Sequence, residues 1–138
     1  MRILVDTNIL IDAFMDRDNS EVANSLLEQA ATGRFLLFVA PHSLSNMYYI
    51  YRNDLPDMVR RKIIGDICRV ATVVPVDNTV VKRAVAHKCI IDFEDALQYA
   101  CAEEIDANYI VTRDHKGYPD TDILAITPQA LLSLPELL

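Results

Sequence analysis

Five short apolar segments, none longer than five residues, punctuate this chain: Arg2 to Val5, Phe35 to Val39, Thr72 to Val76, Tyr109 to Thr112 and Asp122 to Ile126. Segments this short and this continuously apolar read as strands buried on both faces, which is the mark of a parallel sheet. Between them, apolar residues recur at helical spacing. Val22, Leu26 and Leu27, with Ala23 and Ala30, predict a helix over 21–31 that Asn19 or Ser20 can cap and Gly33 can stop. Pro41 suits the first turn of a helix running to Tyr51, and Leu55-Pro56 opens another with Val59, Ile63, Ile64 and Ile67 as its buried stripe. A helix over 80–88 capped near Asn78 or Thr79, one over 92–104, and a closing helix capped by Thr127-Pro128 with Leu131 and Leu132 inward complete the alternation. Strands alternating with helices predict a largely parallel sheet with helices on both faces. The functional crevice of such a fold lies at the carboxyl ends of its strands.

Other architectures fall away. The 138 residues are 51% hydrophobic with 3 Gly and 6 Pro, enough apolar side chain for one core and too little Gly and Pro for a linker or a disordered chain. No apolar run reaches the roughly 18 residues of a membrane span. The opening Met-Arg-Ile-Leu-Val is cut short by Asp6, Asn8 and Asp12, with no small-residue cleavage site after it, so it does not read as a signal peptide. Cys68, Cys89 and Cys101 are odd in number and form no CxxC pair, which predicts buried reduced thiols rather than a disulfide frame or structural zinc. His42, His87 and His115 form no metal-spaced pair. The compartment implied is cytoplasmic. A formal charge of −7 argues against gripping nucleic acid through a broad basic surface, although metal ions standing between protein and phosphate would lift that objection.

Two strands end in the same chemistry. Ile3-Leu4-Val5 runs into Asp6-Thr7-Asn8, and Tyr109-Ile110-Val111 runs into Thr112-Arg113-Asp114. Either acid alone reads equally well as the cap of a following turn. A third piece is Asp92-Phe93-Glu94-Asp95-Ala96-Leu97, where the i,i+3 spacing puts Asp92 and Asp95 on one helix face and turns Glu94 away. Asp92 as N-cap with an acid three residues on is also close to a capping box. Asp6, Asp95, Asp114 and Asp92 gathered in one crevice would repel one another, and a hard divalent cation, Mg2+ or Mn2+, removes the conflict. The chemistry suggested is phosphodiester hydrolysis by a metal-activated water. No Ser/His or Cys/His arrangement competes with it.

In order and spacing, Leu4-Val5-Asp6-Thr7-Asn8-Ile9-Leu10, Asp92-Phe93-Glu94-Asp95-Ala96-Leu97-Gln98 and Ile110-Val111-Thr112-Arg113-Asp114 resemble the signature blocks of PIN-domain ribonucleases. The likeness spans essentially the whole chain. It implies a single PIN-like domain over 1–138, a three-layer α/β/α sandwich with a mostly parallel sheet of four to five strands, and Mg2+- or Mn2+-dependent cleavage of RNA. Many small members resemble the VapC-type toxin of a toxin–antitoxin pair. By resemblance Asp6, Asp95 and Asp114 are metal ligands and catalytic acids, Asp92 is an additional acid of one branch, and Thr7, Asn8 and Thr112 orient them. Where the family usually has Glu on the helix after the second strand, this chain has Asn46, whose carbonyl can ligate but which brings no charge.

Arg113 and Lys116, beside Asp114, are the candidate phosphate contacts; Arg52 and Arg60-Arg61-Lys62 are others, or a solvated helix face. Tyr48, Tyr49 and Tyr51 can stack bases, or pack the core or a partner. A groove between the helices over 21–31 and 41–51 would suit an amphipathic antitoxin helix; the alternative is that the chain pairs as a homodimer. Two alternatives to a nuclease remain open: a catalytically weak PIN-like module that binds RNA or protein, motivated by Asn46, and a receiver- or phosphatase-like domain with Asp6 as phosphoacceptor. Against the latter, Asn8 stands where the second acid of such phosphatases is expected, and no strand-end Lys is evident.

Overall fold

The structure, a computed structural model, describes residues 1–15 and 18–137. β1 (Arg2–Val5), β2 (Leu36–Val39), β3 (Ala71–Val73), β4 (Tyr109–Val111) and β5 (Leu124–Ile126) form one all-parallel sheet in the order β3-β2-β1-β4-β5. Around it lie α1 (Thr7–Phe14), α2 (Ser20–Ala31), α3 (Pro41–Ile50), α4 (Asp57–Val70), α5 (Asn78–Ala86), α6 (Phe93–Glu104) and α7 (Pro128–Leu132).

Alternation along each strand divides the core in two. Ile3, Val5, Leu37, Val39 and Val111 face a layer that includes Ile9, Leu10, Leu26, Met47, Ile67 and Leu131 from α1, α2, α3, α4 and α7. Leu4 and Ile110 face the other way, onto Val80, Ala84, Ala96, Tyr99 and Cys101 of α5 and α6. Each fully buried Leu or Ile contributes about 1.5–3 kcal/mol by leaving water, so the sheet cannot expose either face cheaply. The result is the three-layer α/β/α sandwich.

Local chemistry sets the ends of the helices. Thr127 accepts from Ala130 N ahead of Pro128, and Asp77, rather than Asn78 or Thr79, accepts from Val80 N to cap α5. Asn19 occupies the N-cap position of α2 without a side-chain bond, and Gly33, at φ 81°, turns the chain out after Thr32.

Several expectations need correction. α1 was not foreseen as a helix, because Asp, Asn, Thr and Ile are poor helix formers and a fully buried Asp12 interrupts its apolar face. It packs against both α2 and α3, so the groove expected between those helices is filled by Ile9, Leu10, Ile11 and Ala13 of the chain itself. On α4 only Ile67 is fully buried; Ile63 and Ile64 are half-buried and Val59 is exposed, because the amino-terminal half of α4 runs clear of the core. Leu132 is half-buried beside the buried Leu131. The cysteines are free, but only Cys101 is buried while Cys68 and Cys89 are exposed. Among the described residues no helix is long and apolar enough to cross a membrane.

Candidate active site

The strand order places β1 at the centre, with β2 and β3 on one side and β4 and β5 on the other. The direction of progression therefore reverses between β1 and β4, and the crevice beyond their carboxyl ends is where ligands bind in open parallel sheets. Asp6 and the segment Thr112-Arg113-Asp114 leave the sheet at that point. The register Val5↔Val111, with Asp6 N donating to Val111 O at 2.9 Å, holds the two exits side by side.

Asp6 caps α1. Its Oδ1 accepts from Thr7 N at 2.7 Å and from Gln98 Nε2 at 3.3 Å, and its Oδ2 accepts from Thr112 Oγ1 at 2.8 Å. Thr112, fully buried, uses its hydroxyl completely: it also accepts from Asn8 Nδ2 at 3.3 Å and from Asp114 N at 3.1 Å. Asn8 Oδ1 in turn accepts from Arg113 N at 3.3 Å. Thr112 and Asn8 thus fix both the orientation of Asp6 and the path of the loop that carries Asp114. Burial pushes Asp6 above its ordinary pKa, against the lowering effect of its bonds from Thr112 and Thr7.

Asp95 comes from the first turn of α6, where Asp92 is the N-cap and accepts from Asp95 N at 3.1 Å. Burial first, then the charges of Asp6, Asp92, Asp114 and Glu94, raises Asp95 to about 6. Asp114 closes the group through Gly117 of the short turn His115–Gly117. A Cβ on that glycine would lie 2.9 Å from Asp95 Oδ2 and 3.9 Å from Asp114 Oδ2, so the backbone there makes room for the carboxylates.

Asp6, Thr7, Asn8, Asn46, Asp95 and Asp114 line one open cleft of about 340 Å³, together with His42, Tyr49, Glu94 and Gln98. Asp92 and Thr112 stand behind this lining as cap and support. Arg113 faces elsewhere: its Nε lies 2.9 Å from Oδ2 of the buried Asp12, and both residues line a neighbouring cavity of about 280 Å³ between α1, α2 and α7. Lys116 is exposed on the turn after Asp114. On α4, Arg61 and Lys62 form surface pairs with Asp57 and Asp66, which contribute little to stability. Tyr51 is buried; Tyr49 is 61% exposed at the cleft, with the Arg52 guanidinium 3.8 Å from its ring centre.

Glu94 is not turned away, as the helical spacing suggested. Its side chain is long enough to reach back over the amino-terminal turn of α6, and Oε1 accepts from Asn46 Nδ2. Two cleft residues, Gln98 and His42, and Gly117 behind Asp95 were given no site role by the sequence. Gln98 is buried, donates to Ser43 Oγ at 2.6 Å as well as to Asp6, and so ties α6, α3 and β1 together; its place one turn after Asp95 was the available signal. His42 and Asn46, four apart on α3, share a face, and burial lowers the His42 pKa against the pull of Glu94 and Asp6. Gly117 carried no signal beyond its nearness to Asp114.

The donor set is one of carboxylate and amide oxygens, which suits a hard divalent cation. Gln98 Oε1 and both His42 nitrogens are buried in the lining without a hydrogen-bond partner among the described residues, which fits a site completed by an ion or its waters. Among the described residues no three His, Cys, Asp or Glu side chains are drawn together tightly enough to grip an ion by themselves. A hydrated ion such as Mg2+ needs only one or two direct carboxylates.

Residues 2–116 match the PIN domain family. No curated protein matches the sequence. Among solved structures, VapBC2 from Rickettsia felis, bound to a DNA fragment from its promoter, superposes with a TM-score of 0.71 at 15% identity, covering 92% of this chain and 98% of that one. VapC20 of Mycobacterium tuberculosis, a sarcin–ricin loop cleaving toxin, gives 0.66 at 14% identity over 88% and 98%. FitAcB from Neisseria gonorrhoeae gives 0.59 at 14% over 92% and 98%. At these identities the likeness is one of fold.

Proposed function

The chain belongs to the PIN domain family, and from that premise we propose that it is a Mg2+- or Mn2+-dependent endoribonuclease, the toxin of a toxin–antitoxin pair. One observation carries this reading: Asp6, Asp95 and Asp114, from three distant segments, meet in a cleft at the sheet's switch point, where burial first and then crowding by the neighbouring acids raises Asp95 to about 6. Such crowding is what a bound cation relieves. Asp6, Asp95 and Asp114 would hold the ion, with Asp92, behind the lining as the cap of α6, as an accessory acid whose charge acts on Asp95. When bound, it lowers the pKa of a water and neutralises charge on the phosphate.

The chain's own residues orient what enters. Thr112 and the backbone of Thr7 hold the Asp6 carboxylate, Asn8 pins the Arg113-Asp114 backbone, and Asn46 fixes the opposite side of the cleft. Lys116 is the exposed cation for a substrate phosphate; Arg113 serves first as the partner of Asp12 and reaches phosphate only by leaving it. We place this activity in the cytoplasm, on RNA, restrained by an antitoxin protein, with residues 1–138 acting as one domain.

The test is direct. Purified protein with Mn2+ cleaves RNA, and Asp6→Asn lowers the rate roughly 10²-fold or more, the scale on which loss of a charge-stabilising group acts. Equal cleavage by the two proteins overturns the assignment. A catalytically weak binding module is the second reading, favoured by the uncharged Asn46 in the cleft and by the loose spacing of the acids. Calorimetry that detects no Mn2+ binding at millimolar concentration, with partner binding intact, would favour it.

A further inference from the structure

No residue of α3 is an acid, so that wall of the cleft offers an ion no charge of its own. What it offers is an amide. Asn46 Nδ2 donates across the cleft to Oε1 of Glu94, a side chain otherwise exposed to solvent. An exposed glutamate two residues after a helix N-cap has many conformations available and a weak reason to choose any. This one is held over the cleft, close enough for its charge to act on Asp6, Asp95 and His42. An amide suits this position because it serves two partners at once. Its N–H fixes the carboxylate, and its carbonyl oxygen remains available to accept from a water.

We infer that Asn46 and Glu94 act as one split unit, in which α3 supplies the positioning amide and α6 the negative charge for holding a divalent cation in this cleft. The inference rests on the metal-dependent reading above and goes beyond it by naming the residues that complete the site. Asn46 is a positioning residue, acting through Glu94.

The experiment uses the full chain without RNA and reads Mn2+ affinity by calorimetry, with thermal unfolding as the check that each variant is folded. Glu94→Gln should weaken binding about tenfold, as loss of a supporting group at a metal site commonly does. Asn46→Ala should weaken it less, because the charge stays but loses its tether. Adding Asn46→Ala to Glu94→Gln should then cost nothing more, the non-additivity expected of a coupled pair. Asn46→Glu combined with Glu94→Gln exchanges acid and amide between the helices and should return affinity close to wild type. A swap that binds no better than Glu94→Gln alone overturns the pairing. Wild-type affinity in Glu94→Gln, with binding lost in Asp6→Asn, overturns the inference and leaves the nuclease reading intact. Wild-type affinity in both variants removes the ion from this cleft and overturns both.

Discussion

The two walls of the cleft are built on opposite principles. One, formed by the ends of β1 and β4 and the first turn of α6, concentrates Asp6, Glu94, Asp95 and Asp114. The other, α3, presents His42, Asn46, Tyr49 and Ile50, all uncharged when burial holds His42 neutral. A phosphodiester is repelled by bare carboxylates at close range, yet its hydrolysis needs the cation that carboxylates hold. On the nuclease reading proposed above, separating the walls would resolve this: charge would sit where the ion belongs, and the polyanion would have a neutral side along which to lie. For a chain of net charge −7, the arrangement of its acids matters more than their number.

Gly117→Ala attacks the acidic wall with the largest expected effect. The new Cβ would stand 2.9 Å from Asp95 Oδ2, so the carboxylate must swing aside. Because the clash is with the tip of a side chain, the melting temperature should hardly change. RNA cleavage in Mn2+ should fall about tenfold, the usual scale for a disturbed ligand shell. Unchanged cleavage would mean that the wall tolerates a displaced Asp95.

The neutral wall is probed by Tyr49→Ala. If the exposed ring stacks a base, single-stranded RNA binding should weaken by about 1 kcal/mol, at the lower end of base–aromatic stacking. Mn2+ affinity should not move. A parallel loss of both would break the division of labour between the walls.

The smallest effect is on stability. Asp6 and Asp95 have raised pKa values in the folded protein, Asp95 moving from 3.8 to about 6. Between those values the folded state binds more protons than the unfolded state, so stability falls as pH rises through the window. Without metal, the protein should melt a few degrees lower at about pH 7 than at about pH 5, and Asp95→Asn should shrink that difference. A difference that survives in the variant would place its source outside the acidic wall.

Much of this was legible in the residues. Ile3-Leu4-Val5 and Tyr109-Ile110-Val111 could only be buried strands, and the acids after them had to emerge at one edge. Asp92 announced α6 as its cap, and Asp95 followed on the inner face. What stayed hidden depends on tertiary contact. α1 exists because packing overrides poor helix propensity, and its buried Asp12 is accommodated only because Arg113 reaches it from the far end of the chain. Glu94 was misplaced because helical periodicity fixes the direction of a Cβ and not the reach of a long side chain. Gln98 looked like an ordinary polar position until Ser43 and Asp6 were brought to it.

The hydrogen bond from Thr112 to Asp6 joins residues 106 apart in sequence. β1, the first of the five strands to be made, is also the middle strand, and one of its two edges stays bare until β4 arrives. Pairings this distant in sequence form late and slowly. The cleft therefore has no partial form: an emerging chain can carry β1, β2 and β3 in place and still lack Asp95, Thr112 and Asp114. The order of the strands thus withholds the assembled cleft from every fragment that ends before β4 and the loop beyond it.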